Sequence, residues 1–221
     1  MKLVLISDTH GRHGQLGTLA GDVLIHCGDS SDGFKRDPAD LERLDQWFAQ
    51  QKFGLILCIG GNHDFEIERR ARQSAPVFEN ALYLQDTAVT HEGVVFYGAP
   101  WTPDLPGWAF YLPPEEFYNA WARIPAATDV LITHIGPCGI LDRNRSGRSF
   151  GCPELLARLA VVRPRLHAFG HNHASAGTAT VNGTLHVNAA MANSRYEICR
   201  EPFVIDFDPT STLTPAPPCG S

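Results

Sequence analysis

Eight short apolar runs punctuate this 221-residue chain, and five of them stop at a carboxylate, an amide or an imidazole. The runs are Leu3–Ser7, Asp22–Cys27, Leu55–Ile59, Val94–Tyr97, Asp129–Thr133, Leu166–Phe169, Thr184–Val187 and Phe203–Phe207. They are too short for core helices and rich in Val, Ile and Leu, so they read as buried strands. Helical patterns lie between several of them. Pro38 to Gln51 is the clearest, with Asp37 as a cap, Pro38 in the first turn, and Leu41, Leu44, Trp47 and Phe48 on one face. Pro114 to Arg123 and Pro153 to Val162 are two more. Beyond Thr87, Glu92-Gly93 and Asn182-Gly183 sit between apolar segments as hairpin turns. The expected fold class is α/β: a four-layer αββα sandwich of two mixed sheets flanked by helices. Residues 1–207 read as a single domain, and the Pro- and Thr-rich stretch Asp208–Ser221 as a disordered tail.

The polar run ends carry the chemistry. Asp8-Thr9-His10-Gly11 follows the first run, Gly28-Asp29 the second, and Gly61-Asn62-His63-Asp64 the third. His134 follows the Asp129–Thr133 run, and Gly170-His171-Asn172-His173 the Leu166–Phe169 run. Open α/β sheets gather ligands at the carboxyl ends of their strands, so these distant residues are expected to meet at one rim. Asp8, His10, Asp29, Asn62, His134, His171 and His173 mix oxygen donors with imidazole nitrogens and include no thiolate. That mixture suits Mn²⁺, Fe, Zn²⁺, Ni²⁺ or Co²⁺ better than a structural zinc site. Seven donors exceed what one open-coordinated ion uses and suit two ions, roughly 3.5–4 Å apart, sharing a bridging carboxylate.

In order, the motifs "DTHG", "GDSSD", "GNHD", "THIGP" and "GHNH" resemble those of the calcineurin-like metallophosphoesterases, and they span residues 8 to 173. The wording of "PWTPDLPGWAFYLP", "THIGPCGILDR", "GCPELLARL" and "RPRLHAFGHNH" is similar to the metallophosphoesterase-domain-containing, cyclic-nucleotide-phosphodiesterase-like branch. The resemblance implies that Asp8, His10 and His173 hold one divalent ion, Asn62, His134 and His171 a second, and that Asp29 bridges them. It also implies that His63 sits over substrate as general acid with Asp64 steering it, while a bridging hydroxide attacks phosphorus. Manganese is the first expectation for the metal.

Around this set lie residues that touch substrate or merely support the fold. Arg143, Arg145 and Arg148 occupy one loop, and the planar fork of arginine clamps phosphates. Trp108 could stack on a base, and Asn188 ends a strand near the metal motifs. These five are the candidate substrate contacts. Asp32 reads as a loop hydrogen-bonder, His13 as a neighbour of the first motif, and His26, His91, His167 and His186 as packing residues.

A net charge of −6 argues against a long contact with duplex nucleic acid but not against a small nucleotide. Six cysteines without a C-x-x-C pair, and no leader-like segment, point to a reducing, cytoplasmic setting with no membrane span. No oligomeric state is implied. The expected function is a binuclear phosphodiesterase on small phosphodiesters, cyclic nucleotides among them. A phosphomonoesterase or nuclease of the same fold, or a non-catalytic scaffold, are the alternatives.

Overall fold

In a computed structural model, which describes residues 1–73, 76–103 and 105–208, the apolar runs pair into two sheets. The first contains β1 (Lys2–Ile6), β2 (Val23–His26), β3 (Leu55–Cys58), β4 (Leu82–Tyr83) and β11 (Phe203–Asp206), in the order β11-β1-β2-β3-β4. The second contains β5 (Thr87–His91), β6 (Val94–Ala99), β7 (Val130–Thr133), β8 (Leu166–Phe169), β9 (Gly177–Val181) and β10 (Thr184–Asn188), in the order β5-β6-β7-β8-β10-β9. Both are mixed. The central pairs β1·β2, β2·β3, β6·β7 and β7·β8 are parallel, while β11, β5 and β9 join antiparallel at edges.

Side-chain alternation along each strand assigns the layers. Leu3, Leu5, Val23, Ile25 and Leu57 of the first sheet meet Phe96, Val130, Ile132, Leu166 and Val187 of the second in the central core. The opposite face of the first sheet, with Val4, Ile6, Leu24 and Ile56, packs on α1 (Ala39–Phe48) and α2 (Phe65–Arg72). The outer face of the second, with Tyr97, Ala99 and Leu131, packs on α3 (Phe117–Ala122) and α4 (Pro153–Val162). The four-layer αββα arrangement expected from the runs is therefore present.

Local signals account for most boundaries. The Asp37 carboxylate accepts the Ala39 N–H at 3.0 Å at the start of α1, as a capping side chain should. Both hairpins turn on two residues of positive φ, Glu92 (48°) and Gly93 (80°), then Asn182 (52°) and Gly183 (84°). That is the backbone a two-residue hairpin needs to match strand twist. Pro114 to Arg123 divides into a short 3-10 turn, Pro114–Glu116, and α3. Two elements have no counterpart in the sequence expectations. Helix α2 buries only Ile67, so it has no apolar stripe to read, and β4 is two residues long. The disordered tail expected over Asp208–Ser221 lies outside the described residues except for Asp208. Among the described residues no helix is long and apolar enough to cross a membrane.

Candidate metal centre and its cavity

Five strand ends meet at one rim of the two packed sheets. Asp8 and His10 follow β1, Asp29 follows β2, and Asn62 and His63 follow β3. His134 follows β7, and His171 and His173 follow β8. All seven expected donors are brought together. Their atoms fall into overlapping groups whose members lie within 4.8 Å of one another: Asp8, His10 and His173; His10, Asp29 and His63; and Asp29, His134 and His171. Asn62 joins the last, its Oδ1 standing 3.0 Å from His134 Nε2 and 3.0 Å from His171 Nδ1.

The loops are bent to achieve this. Asp8 (φ 55°), His10 (45°), Asp29 (53°) and His171 (66°) all occupy the left-handed region. For residues with a Cβ that conformation costs on the order of 1–3 kcal/mol each and persists only where surroundings enforce it. Backbone bonds supply the enforcement: Asp8 N–H to Gly28 O at 2.9 Å, His10 N–H to Asp29 O at 3.0 Å, and Gly11 N–H to Ser30 O at 2.7 Å. Gly60 and Gly61 are required by space. A Cβ on Gly60 would overlap the Phe110 ring, and one on Gly61 would overlap the Asp29 carboxylate.

His134 donates from Nδ1 to Cys27 O at 2.9 Å, and its Nε2 faces Asn62 Oδ1 and, at 3.4 Å, Asp29 Oδ2. With acceptors on both sides the protonated form is favoured; burial opposes the charge, but Asp29 overrides it and raises the pKa to about 9. His173 repeats the arrangement between Asn193 O (2.9 Å) and Asp8 Oδ1 (3.2 Å), and its pKa is likewise raised, burial opposing and the Asp8 hydrogen bond prevailing. Asp29 is held well below the usual carboxylate range against its burial, chiefly by the charge of His134. Asp8 is also lowered against its burial, chiefly by its hydrogen bond with His173. Burial drives His10 down to about 4, and burial with the His134 charge does the same for His171. His10 Nε2 faces His173 Nε2 at 3.2 Å, and His10 Nδ1 is buried without a partner. Buried carboxylates, imidazole nitrogens facing one another and rings fixed by backbone carbonyls are what divalent ions need from a protein. The donor set fits them, and metal binding would displace the protons on His134 and His173.

His63 lies beside this centre. Its Nδ1 accepts the Gly33 N–H at 3.2 Å, so the hydrogen-bond network assigns the proton of the neutral ring to Nε2, which lies 3.9 Å from Asp29 Oδ2. The expectation that Asp64 steers His63 is corrected. The buried Asp64 carboxylate accepts instead from Gly61 N–H (2.8 Å), Ser30 N–H (3.3 Å), Ser30 Oγ–H (2.8 Å) and Ser31 N–H (2.9 Å). It ties the Asp29 loop to the His63 loop and orients His63 only through the backbone. Asp32 accepts the Phe34 and Lys35 amides, as a loop hydrogen-bonder should.

A cavity of about 910 Å³ opens over the cluster, with Asp29, Asn62, His63, His171 and His173 in its lining. One wall is aromatic: Trp108 (4.8 Å between ring centroids), Phe34 (5.2 Å) and Tyr196 (5.8 Å) surround His63. Another is the loop carrying Arg145 and Arg148. Trp108 lines the cavity, as do Phe34 and Tyr196, which were not anticipated. Phe34 is 66% exposed beside the "GDSSDG" motif, and that position was its one available signal. Tyr196 lies in no motif. Arg143 is exposed but absent from the lining. Asn188 is fully buried and does not line the cavity; its amide donates to Leu141 O (3.2 Å) and Asn172 O (2.9 Å). His26, His167 and His186 are packed, and His13 is buried against Trp47.

Known proteins resemble this chain in sequence and in fold. The family model described as "Calcineurin-like phosphoesterase" matches residues 1–175, which take in all seven donors. "Metallophosphoesterase domain-containing protein 1" of Homo sapiens is 33% identical over 232 residues, covering 93% of this chain and 70% of that protein. A UPF0046 protein of Caenorhabditis elegans is 34% identical over 229 residues, covering 97% of this chain and 77% of its own. The fold is shared with the crystal structure of TT1561 of Thermus thermophilus, at a TM-score of 0.59, 14% identity and coverage of 85% and 88%. With the motif order, the match over most of the chain and the two-sheet architecture in agreement, this chain belongs to the calcineurin-like phosphoesterase family.

Proposed function

We propose that this chain hydrolyses small phosphodiesters at a centre of two divalent ions, manganese first among them. The observation that carries the reading is the place of Asp29. It belongs to a donor group with His10 and to another with His134 and His171, so one carboxylate adjoins both halves of the cluster. Asp8, His10 and His173 would hold one ion, and Asn62, His134 and His171 the other. When bound, such ions lower the pKa of water and polarise a phosphoryl oxygen.

The remaining work falls to the chain. Protonated on both ring nitrogens, His63 can give its Nε2 proton to the ester oxygen that leaves phosphorus and is left as the neutral imidazole. In the neutral ring the Gly33 amide faces Nδ1 and so turns Nε2 away from it, and Trp108 and Phe34 flank the ring. The aromatic wall and the arginine loop give the two substituents of a diester separate places to lie, and a monoester would leave one unfilled. A nucleotide, cyclic ones included, suits the aromatic wall. With Mn²⁺ added, bis-p-nitrophenyl phosphate should be hydrolysed with higher kcat/KM than p-nitrophenyl phosphate. A preference for the monoester, or inactivity on both with metal bound, would refute the reading.

A further inference from the structure

The arginine loop is more constructed than a solvated tip needs to be. Asn144 Oδ1 accepts Ser146 N–H (3.0 Å), Ser146 Oγ–H (2.7 Å) and Arg148 N–H (3.0 Å), while Asn144 N–H donates to Arg148 O at 2.9 Å. Below it, Asp142 accepts Gly139 N–H (2.9 Å), Gly151 N–H (3.2 Å) and the Ser149 hydroxyl. The loop is then fastened to the turn that carries His171 and His173. Ser175 Oγ donates to Arg143 O, and the Asn188 amide spans Leu141 O and Asn172 O. What this framework presents to the cavity is Arg145 and Arg148. Both are exposed, and neither forms an ion pair among the described residues; Arg148 rests over the Phe150 ring at 5.0 Å. Glu154, also in the lining, is engaged by the Cys152 thiol at 3.2 Å.

Two unneutralised guanidinium groups on one wall, in a chain of net charge −6, mark a place for an anion. They stand at the mouth, whereas Asp29 (2% exposed) and Asn62 (4%) lie on the floor. The reacting phosphoryl group belongs on the floor, so the mouth serves a different group of the same ligand. The cavity, near the upper end of the roughly 300–1,000 Å³ range of small-molecule sites, has room for both. We propose that Arg145 and Arg148 form a second anion subsite, so that the preferred ligand carries a further phosphate in addition to the reacting one. This rests on the reading of the floor as the phosphoryl site and makes Arg145 and Arg148 specificity-determining residues.

The test is calorimetric titration of the Mn²⁺-loaded protein with thymidine 5′-monophosphate and with thymidine 3′,5′-bisphosphate. The bisphosphate should bind about tenfold more tightly at low salt, and the preference should shrink as salt rises. In Arg145→Ala/Arg148→Ala the ratio should fall to about one, and in Arg145→Lys/Arg148→Lys part of it should return. Equal affinities in the native protein would overturn the proposal. So would a preference that survives the double alanine change, or a double change that weakens both ligands equally, as arginines clamping the reacting phosphoryl would. A preserved bisphosphate preference without hydrolysis of any diester would support the subsite while refuting the phosphodiesterase reading.

Discussion

His63 and Asp64 are adjacent in sequence and do unlike things. His63 reaches the cavity with Nε2, while Asp64 spends its carboxylate on the amides and hydroxyl of a neighbouring loop. Replacing His63 with Ala should leave metal content unchanged and lower kcat by about 10²–10⁴-fold, most for alkyl leaving groups. Loss of the metals, or full rate on an alkyl diester, would remove His63 from its role. A second cluster is read by its proton order. Thr133 Oγ–H donates to Ile135 O at 2.6 Å, so Thr133 accepts from His167 Nε2–H at 2.8 Å, and His167 Nδ1 in turn accepts from His186 Nδ1–H at 3.2 Å. Both nitrogens of His167 are thus engaged, and that ring has no place for another proton. Burial lowers His186 from 6.5 to about 4, and burial with the charge of His186 holds His167 well below its ordinary value. As pH falls through 6.5 the unfolded rings gain protons and the folded ones do not. Unfolding then takes up protons, and stability declines between about pH 6.5 and 4. Thermal midpoints measured across that window should fall less steeply in His186→Gln than in the native protein; identical slopes would show that this pair does not titrate as its packing requires.

At the scale of elements, the strand ends were legible and the loops were not. Asp8, His10, Asp29, Asn62, His134, His171 and His173 could be read because each follows an apolar run, and parallel strands deliver their carboxyl ends to one rim. The partners of Asp64 could not. They depend on which amides of residues 30, 31 and 61 lack a strand partner, and that is settled only when loops 34 residues apart meet. Asn188 misled for a similar reason: a strand end beside the cluster can turn its amide to carbonyls beneath the cavity. Helix α2 escaped notice because one buried residue makes no stripe, although its acids in the first turn and arginines in the last suit the helix dipole. These loops give a direct prediction. Asp64→Ala strips a buried acceptor from four donors, and leaving such donors unmet should cost at least about 2 kcal/mol. At this chain length that is a fall of about 4–8 °C in the melting temperature of the metal-free protein. An unchanged melting temperature with lost activity would restore Asp64 as a direct partner of His63.

Across the whole molecule, the two sheets divide the labour. The first supplies Asp8, His10, Asp29, Asn62 and His63, and the second supplies His134, His171 and His173. Each donor group that contains Asp8 or Asp29 with His173 or His134 therefore spans both sheets. The central core of Leu3, Leu5, Ile25, Ile132, Leu166 and their neighbours sets the spacing between the two halves of the site. The arginine loop hangs from the second sheet, while the aromatic wall draws Phe34 from the β2–β3 connection of the first, Trp108 from the β6–β7 connection of the second and Tyr196 from the link between β10 and β11, so the cavity also lies across the junction. The claim on which the rest depends is that this junction holds two ions. Crystals grown with Mn²⁺ and measured at the manganese absorption edge decide it. Two anomalous peaks about 3.5–4 Å apart are predicted, one against Asp8, His10 and His173, the other against Asn62, His134 and His171, with Asp29 between them. A single peak, or a pair that leaves Asp29 unligated, would contradict the account.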